Sequence, residues 1–83
     1  MTSAEDRAGD HAWAVLREGG PTAVRLLLHP YLRWTRADGT LLRGRIKVLA
    51  VLEAELPARA PRVTELRDGQ VYRWDSSPRP DEV

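Results

Sequence analysis

The sequence predicts an α+β domain in which helices pack on one face of a small antiparallel sheet. Three observations predict it. Helical and strand-like apolar patterns occupy separate segments, two Asp-Gly pairs mark hairpin turns, and 83 residues allow a single core. The expected element order is α-α-β-β-α-β-β. We assign residues 1–75 to this domain and residues 76–83, rich in proline, serine and charge, to a disordered tail.

The N-terminal part of the chain has the signals of two consecutive helices. Residues 2–5 form a Thr-x-x-Glu capping box. The apolar stripe that follows, at spacings of four, seven and eight, consists of Ala8, Ala12, Val15 and Leu16. The glycine pair 19–20 ends this helix, and Pro21 suits the first turn of another. We expect the second helix to reach Leu28, because Pro30 disfavours helical geometry just before it.

The remaining elements are two hairpins joined by a helix. Strands at residues 31–36 and 40–43 flank the first Asp-Gly turn, and the helix at residues 45–56 is apolar almost all round. Strands at residues 63–67 and 70–75 flank the second turn. A two-residue turn would place Leu66 opposite Val71 and Val63 opposite Trp74.

Composition restricts the chemistry and the compartment. There is no cysteine, so disulfides and thiolate metal sites are excluded, and the two histidines stand 18 positions apart. We therefore predict neither a metal site nor a cofactor. The N-terminus is acidic without an apolar segment, and no run of apolar residues could span a bilayer. We expect a cytoplasmic protein that does not enter a membrane.

Aromatic residues and one histidine supply the candidate ligand pocket. Tryptophan and tyrosine offer apolar area together with a hydrogen-bonding group, and His29 lies at a helix-to-strand corner. The pocket candidates, suited to a small apolar or aromatic ligand, are Trp13, His29, Tyr31, Trp34, Tyr72 and Trp74. The competing interpretation is that the same residues fill the core and that His29 caps the helix.

A basic stretch supplies a second candidate site. Between Arg25 and Lys47 six basic residues stand against one acid, Asp38. An anion or nucleic acid would meet Arg33, Arg36, Arg43, Arg45 and Lys47. Twelve arginines against one lysine also fit GC-rich coding, and basic clusters are usually solvated faces. On this argument we do not expect nucleic-acid binding.

No catalytic constellation emerges from the motifs. The Gly39 to Gly44 spacing lacks the Lys-Ser/Thr of a phosphate loop, and no serine sits in a nucleophile elbow. Glu53 and Glu55 lie on different sides of their helix, and Asp38 and Asp68 belong to turns. Whether the protein is an enzyme stays open at this point, and no catalytic residue is assigned.

Three strings carry a family resemblance: AVRLLLHPYLRW at residues 23–34, LRGR at 42–45 and VTELRDGQVYRW at 63–74. They resemble the SnoaL-like branch of the nuclear transport factor 2-like superfamily. The resemblance implies a curved sheet wrapped on helices and a dimer. Members usually continue with two or more long strands, so the chain resembles a truncated member. Tyr31 stands where relatives often have aspartate, and the acid–base aspartates of the isomerase-like members have no counterpart.

Three classes of function follow. The first is a small-ligand-binding or protein-interaction module similar to that truncated fold. The second is a small cyclase or isomerase whose pocket is completed by dimerisation, and the third is a binder of nucleic acid or an acidic partner. A homodimer is predicted independently, because the core is small and lacks a disulfide or metal to stabilise it.

Overall fold

The computed structural model describes residues 3–77 and has the predicted α+β class. Its elements in chain order are helix α1 (Ala4–Val24), a short 3-10 turn (Arg25–Leu27), strands β1 (Leu28–Thr35) and β2 (Leu41–Arg43), helix α2 (Arg45–Ala54), and strands β3 (Val63–Arg67) and β4 (Gln70–Asp75). The predicted cap at Thr2 and residues 78–83 of the predicted tail lie outside the described residues.

Helix α1 contains the break that the glycine pair predicts. Ser3 caps the helix, and its hydroxyl accepts the backbone N–H of Asp6 at 3.0 Å. Gly20 leaves helical geometry with φ 82° and ψ 179°, a conformation essentially restricted to glycine, and the helix resumes at Pro21. The second helical stretch stops at Val24, short of the predicted end, and Leu28 already belongs to β1 and is fully buried.

The sheet is mixed, which corrects the prediction of a wholly antiparallel sheet. The strand order is β2-β1-β4-β3, with antiparallel pairs at both sides and a parallel pair, β1 and β4, in the centre. Each hairpin is antiparallel as predicted. Helix α2 connects the hairpins and returns the chain across the sheet, so β4 lies beside β1 in the same direction.

Two irregularities set which side chains reach the core. Leu66 pairs with Val71 as predicted, but a bulge shifts the register so that Thr64, not Val63, lies opposite Trp74. Strand β1 has a longer irregularity. Leu28 pairs with Val71 and Arg33 pairs with Arg73, so a step of five residues on β1 corresponds to a step of two on β4. Pro30 falls within it, at a place where a missing N–H is tolerated in a central strand.

Both helices cover the same face of the sheet, α1 mainly over β3 and α2 over β1. This inner face presents Leu42, Trp34, Trp74 and Thr64 at paired positions. The opposite, outer face presents Arg43, Arg33, Arg73 and Glu65. The core holds eleven buried apolar residues: Ala12, Trp13, Leu16, Val24, Leu28, Leu32, Trp34, Val48, Leu52, Val71 and Trp74.

Candidate functional site

The predicted aromatic pocket divides into two separate groups. The three tryptophans form a filled cluster in the core, at most 5% exposed. The ring of Trp74 meets Trp13 edge-on at 5.8 Å and Trp34 at 6.5 Å, geometries typical of packed aromatic pairs. Trp13 and Trp74 therefore serve as core, and only Trp34 also borders a cavity.

The other three pocket candidates lie together near the start of β1. The ring of His29 is 5.7 Å from that of Tyr31 and 5.3 Å from that of Tyr72. His29 is buried, and its Nδ1 accepts the backbone N–H of Tyr31 at 3.0 Å, while Nε2 lies 3.7 Å from an Asp68 carboxylate oxygen. Tyr31 itself is 72% exposed. These contacts give His29 a structural role at the corner between the 3-10 turn and β1.

The predicted basic set is also dispersed. Arg33 and Arg43 are exposed and paired across β1 and β2 on the outer face. Arg45 is half-buried and donates through Nη1 to the carbonyl of Leu28 at 3.3 Å, whereas its buried Nε has no hydrogen-bond partner among the described residues. Lys47 is exposed on helix α2, and Arg36 lies at the cavity beside Trp34.

A cavity of about 620 Å³ lies beyond the carboxyl ends of the parallel strands β1 and β4. The segments that line it are the turn after β1, the loop between α2 and β3, and the two residues after β4. Its lining residues are Trp34, Arg36, Ala37, Pro57, Ala58, Arg59, Ala60, Arg62, Ser76 and Ser77. Three arginines thus line the cavity together with proline, alanine and the buried Trp34, and no carboxylate is among the described lining residues.

Hydrogen bonds fix the wall of this cavity on the β4 side. The hydroxyl of Ser76 accepts the indole N–H of Trp34 at 2.9 Å, and the backbone N–H of Ser76 donates to the carbonyl of Thr35 at 2.8 Å. Arg62 donates through Nε to the carbonyl of Ser77 at 3.2 Å. Ser76 and Ser77, which the sequence analysis assigned to the tail, are therefore held against the end of the sheet.

The lining of the cavity is positively charged, and Asp75 just outside it offsets part of that charge. The guanidinium carbon of Arg36 lies 5.7 Å from the centre of the Trp34 ring, a cation–π distance. Asp75, just outside the lining, is held by Ser77: hydrogen bonds from the Ser77 hydroxyl and backbone N–H keep the pKa of the Asp75 carboxyl below its usual range, helped by Arg62. Arg36 and Arg59 form no ion pair within the described part of the chain.

Sequence reasoning found two residues of this cavity, Trp34 and Arg36, but placed them in different candidate sites. It missed Arg59 and Arg62, which lie in the loop that also contains Pro57 and Pro61. That loop carried a usable signal, since two arginines stand among prolines and alanines in a connection of eight residues between α2 and β3. The closeness of this loop to Trp34 depends on how α2 crosses the sheet, and the local sequence does not predict it.

Over residues 3–77, no group of three histidine, cysteine or acidic residues could hold a metal ion, and no helix is long and apolar enough to cross a membrane. No family model matches the chain, and the comparisons with curated proteins and with solved structures gave no significant match. The similarity to the SnoaL-like branch therefore stays a prediction.

Proposed function

We propose that the protein is a small-ligand-binding module and that the cavity beside Trp34 binds a small organic anion with an apolar or aromatic body. The observation that carries the proposal is a cavity lined by three arginines and by apolar residues, with no carboxylate among its described lining residues. The sequence predicted a small apolar or aromatic ligand at the aromatic residues; the proposal adds a negative charge to that ligand and moves the site from the tryptophan cluster to the edge of the sheet.

Size and position support a ligand site. A volume of about 620 Å³ falls within the range of about 300–1,000 Å³ that small-molecule sites occupy. In sheets with parallel strands, ligands commonly bind beyond the carboxyl ends of those strands, where the following loops diverge. The β1 and β4 ends provide such a place, and the chain after each end contributes lining residues.

The chemistry of the lining favours an anion. Arginine presents a planar fork of N–H donors that matches a carboxylate or phosphate, and charge-assisted hydrogen bonds are stronger than neutral ones. Arg36, Arg59 and Arg62 offer this donor type, and the Ser76 and Ser77 hydroxyls add polar contacts. Pro57, Ala58 and Ala60 supply accessible apolar area for the body of the ligand beside the buried Trp34 indole.

Binding accounts for these groups better than catalysis does. General acid–base catalysis requires a group that gains and loses a proton near neutral pH, such as histidine or a perturbed carboxylate. The lining residues are guanidinium, hydroxyl, indole and aliphatic groups, which bind and orient a ligand. A cyclase or isomerase activity would need a further residue from a second subunit. We also propose, from the cysteine-free sequence, that the protein is cytoplasmic.

A matched pair of probes tests the charge preference. Isothermal titration calorimetry compares 2-naphthoate with the neutral 2-naphthylmethanol, which share one aromatic body. We expect 2-naphthoate to bind and Arg59→Gln to weaken it about tenfold, since a hydrogen bond to a charged group contributes about 1.5–3 kcal/mol. Arg59 suits this test because Arg62 also bonds the chain at Ser77 and its loss would disturb the wall.

The control is Arg17→Gln, which removes the same charge from an exposed position on helix α1. It should leave the affinity for 2-naphthoate unchanged. Amide NMR shifts should map the bound probe to the cavity loop and to Ser76. Equal weakening by both variants, or tighter binding of the neutral alcohol, would contradict an anion site.

A second candidate function, association as a homodimer, is favoured by exposed apolar side chains. Ile46 on α2 is 80% exposed, and Leu26 in the 3-10 turn is 75% exposed. Ile46 also borders a surface groove of about 320 Å³ between α2 and the second stretch of α1, together with Pro21 and Leu49. We propose that a second copy of the chain covers Ile46, because a C2 dimer pairs the same patch on both subunits.

Sedimentation equilibrium tests the dimer. A dimer stabilised by this patch should have a thermal midpoint that rises with protein concentration, and Ile46→Glu should abolish that dependence. Lys47→Glu, one residue away on the same helix and also exposed, is the control. A single species of 9.4 kDa at every concentration would rule the dimer out.

A further inference from the structure

The outer face of the sheet carries three arginines in one row across neighbouring strands. Arg33 on β1 pairs with Arg43 on β2 and with Arg73 on β4, so the three occupy one line perpendicular to the strands. Neighbouring strands lie about 4.7–4.9 Å apart, so this row of positions extends for roughly 10 Å across the face. Neither helix packs on this face, and Arg33 and Arg43 are exposed.

Only one end of this arginine row is neutralised. Arg73 Nη2 lies 2.8 Å from a Glu65 carboxylate oxygen, and its Nη1 lies 3.7 Å from Asp75. The hydrogen bond from Arg73 lowers the pKa of Glu65, so the carboxylate stays charged at neutral pH. Within residues 3–77, Arg33 and Arg43 have no ion-pair partner. The β1–β2 side of the row is therefore positively charged.

Folding gives no reason for this arrangement. Like charges directly opposite one another across two antiparallel strands destabilise the pair, and Arg33–Arg43 is such a pair. The core lies on the other side of the sheet and gains nothing from them. A negatively charged ligand laid along the row would turn this repulsion into attraction.

An exposed aromatic ring extends the same surface. Tyr31 precedes Arg33 by two positions on β1, with the buried Leu32 between them, so both point away from the core. Its ring is 72% exposed, and one side contacts His29 at 5.7 Å between ring centres. A flat face that combines arginines with an accessible aromatic ring matches what an unstacked nucleotide needs: charge for the phosphate and a ring for the base.

We infer that the outer face binds single-stranded nucleic acid, with Arg33 and Arg43 on the phosphates and Tyr31 stacked on a base. A sheet face of this kind does not enter a duplex groove, whereas a single strand can lay its bases on it. An acidic protein segment would satisfy the arginines but not the exposed ring. The inference is independent of the cavity ligand, because Arg33, Arg43 and Tyr31 do not line the cavity.

The structure assigns this site to a different set of residues from that predicted from the sequence. The sequence analysis included Arg36, Arg45 and Lys47 in the candidate site as well. It interpreted the whole basic stretch as a solvated face. Arg36 lies at the cavity, and Arg45 is half-buried with a bond to Leu28. Arg33 and Arg43 remain, and Arg73 lies in the same row although it is 30 positions further along the chain than Arg43.

Fluorescence anisotropy with the full chain tests the inference. The probes are labelled single strands of about 15 nucleotides, one DNA and one RNA of mixed sequence, and the corresponding DNA duplex. We expect both single strands to bind at about 50 mM salt more tightly than the duplex, with affinity falling as salt rises. Tighter binding of the RNA strand would identify RNA as the ligand, and tighter binding of the DNA strand would identify DNA.

Two kinds of variant separate the charge from the ring. Arg33→Gln with Arg43→Gln should flatten the slope of log affinity against log salt by about 1.4, at about 0.7 per phosphate, and weaken binding about 25-fold at 0.1 M salt. Arg33→Lys with Arg43→Lys should restore the slope. Tyr31→Ala should leave the slope unchanged and weaken binding by roughly five- to 150-fold, the loss of one stacked base.

The matched control is Arg7→Gln with Arg17→Gln, which removes two charges from exposed positions on helix α1. Equal weakening by this control would show only a net-charge effect and would overturn the site. The inference also fails if no single strand binds at about 50 mM salt, or if poly-glutamate competes as well as the oligonucleotide, which would indicate an acidic protein partner. Circular dichroism of each variant verifies that the fold is retained.

Discussion

The two faces of the sheet use alternate residues of the same strands for opposite purposes. Trp34 and Trp74, on the inner face, are paired neighbours with at most 1% of their surface exposed. One position earlier on each strand, Arg33 and Arg73 are paired neighbours on the outer face. The inner pair excludes water and stabilises the fold, whereas the outer pair stays charged, with Arg73 in an ion pair with Glu65 and Arg33 exposed. The comparison teaches that a single residue step along each strand separates the buried aromatic face from the charged outer face.

The largest expected effect tests the inner face. Trp74→Ala should lower the free energy of unfolding by about 3–5 kcal/mol, since it removes a fully buried ring that contacts both Trp13 and Trp34. Arg33→Ala, on the paired strand but facing outward, should change it by about 0.5 kcal/mol or less. Urea denaturation at one protein concentration measures both. A loss below about 1 kcal/mol for Trp74→Ala would contradict the view that this face is tightly filled.

A smaller effect is expected where helix α1 touches the inner face most closely. A Cβ placed on Gly9 would collide with the Thr64 hydroxyl and lie 2.9 Å from the Thr64 Cβ. Gly9→Ala should therefore lower the free energy of unfolding by about 1–3 kcal/mol, although alanine is the better helix former by about 1 kcal/mol. Thermal unfolding monitored by circular dichroism checks the loss.

A double variant sharpens this second test. Combining Gly9→Ala with Thr64→Ala removes the hydroxyl and methyl that cause most of the collision, so the two changes should be less than additive. Strict additivity would show that α1 does not approach β3 as closely as the structure has it. Ala14→Gly, at an exposed position on the same helix, controls for helix propensity alone.

The smallest expected effect concerns acid and the outer face. Hydrogen bonds from Arg73 and from Ser77 lower the pKa of Glu65 and of Asp75, respectively, from ordinary values of 4.5 and 3.8. A carboxyl whose pKa is lower in the folded state stabilises it fully above the unfolded-state pKa and loses that contribution as the pH falls through the folded-state pKa. The thermal midpoint of unfolding should thus decrease when the pH is lowered below about 4.

Glu65→Gln with Asp75→Asn should reduce the size of this acid-induced fall, measured as midpoint against pH from 7 to about 2.5. Asp10→Asn with Glu53→Gln, two exposed helical carboxyls, serves as the matched control. If the control reduces the fall as much as the outer-face pair does, general charge repulsion at low pH explains it and the ion pairs do not.

Much of the local structure was predictable because its causes are local. The second hairpin was predicted at its observed bounds, since Asp68 and Gly69 both adopt positive φ in the turn as an Asp-Gly pair favours. The start of α2 after Gly44 and the break of α1 at Gly20 follow from the same preference of glycine for special backbone geometry. The strand bulges escaped prediction, because they depend on which side chains the helices bury.

The candidate sites show the same division. Composition identified the aromatic and basic residue types, and the chain indeed uses tryptophan for its core and arginine around its cavity. It did not reveal that Ser76 bonds Trp34, 42 positions away, or that Arg73 joins Arg33. Neither contact follows from spacing along the chain, so both sets of residues were assigned incompletely from sequence.

The sequence by itself determined the α+β class, the two hairpin turns, the helix break at Gly20 and the lack of cysteine chemistry, because each depends on backbone preferences or composition within a few residues. The tertiary structure alone decided the parallel pairing of β1 with β4, the bulge that turns Val71 and Trp74 to the same side, and the separation of arginines between cavity and outer face. These depend on how α2 returns across the sheet and on which residues can be buried together. Packing over the whole chain determines which residues are buried together, and no local segment of the sequence is sufficient to predict it.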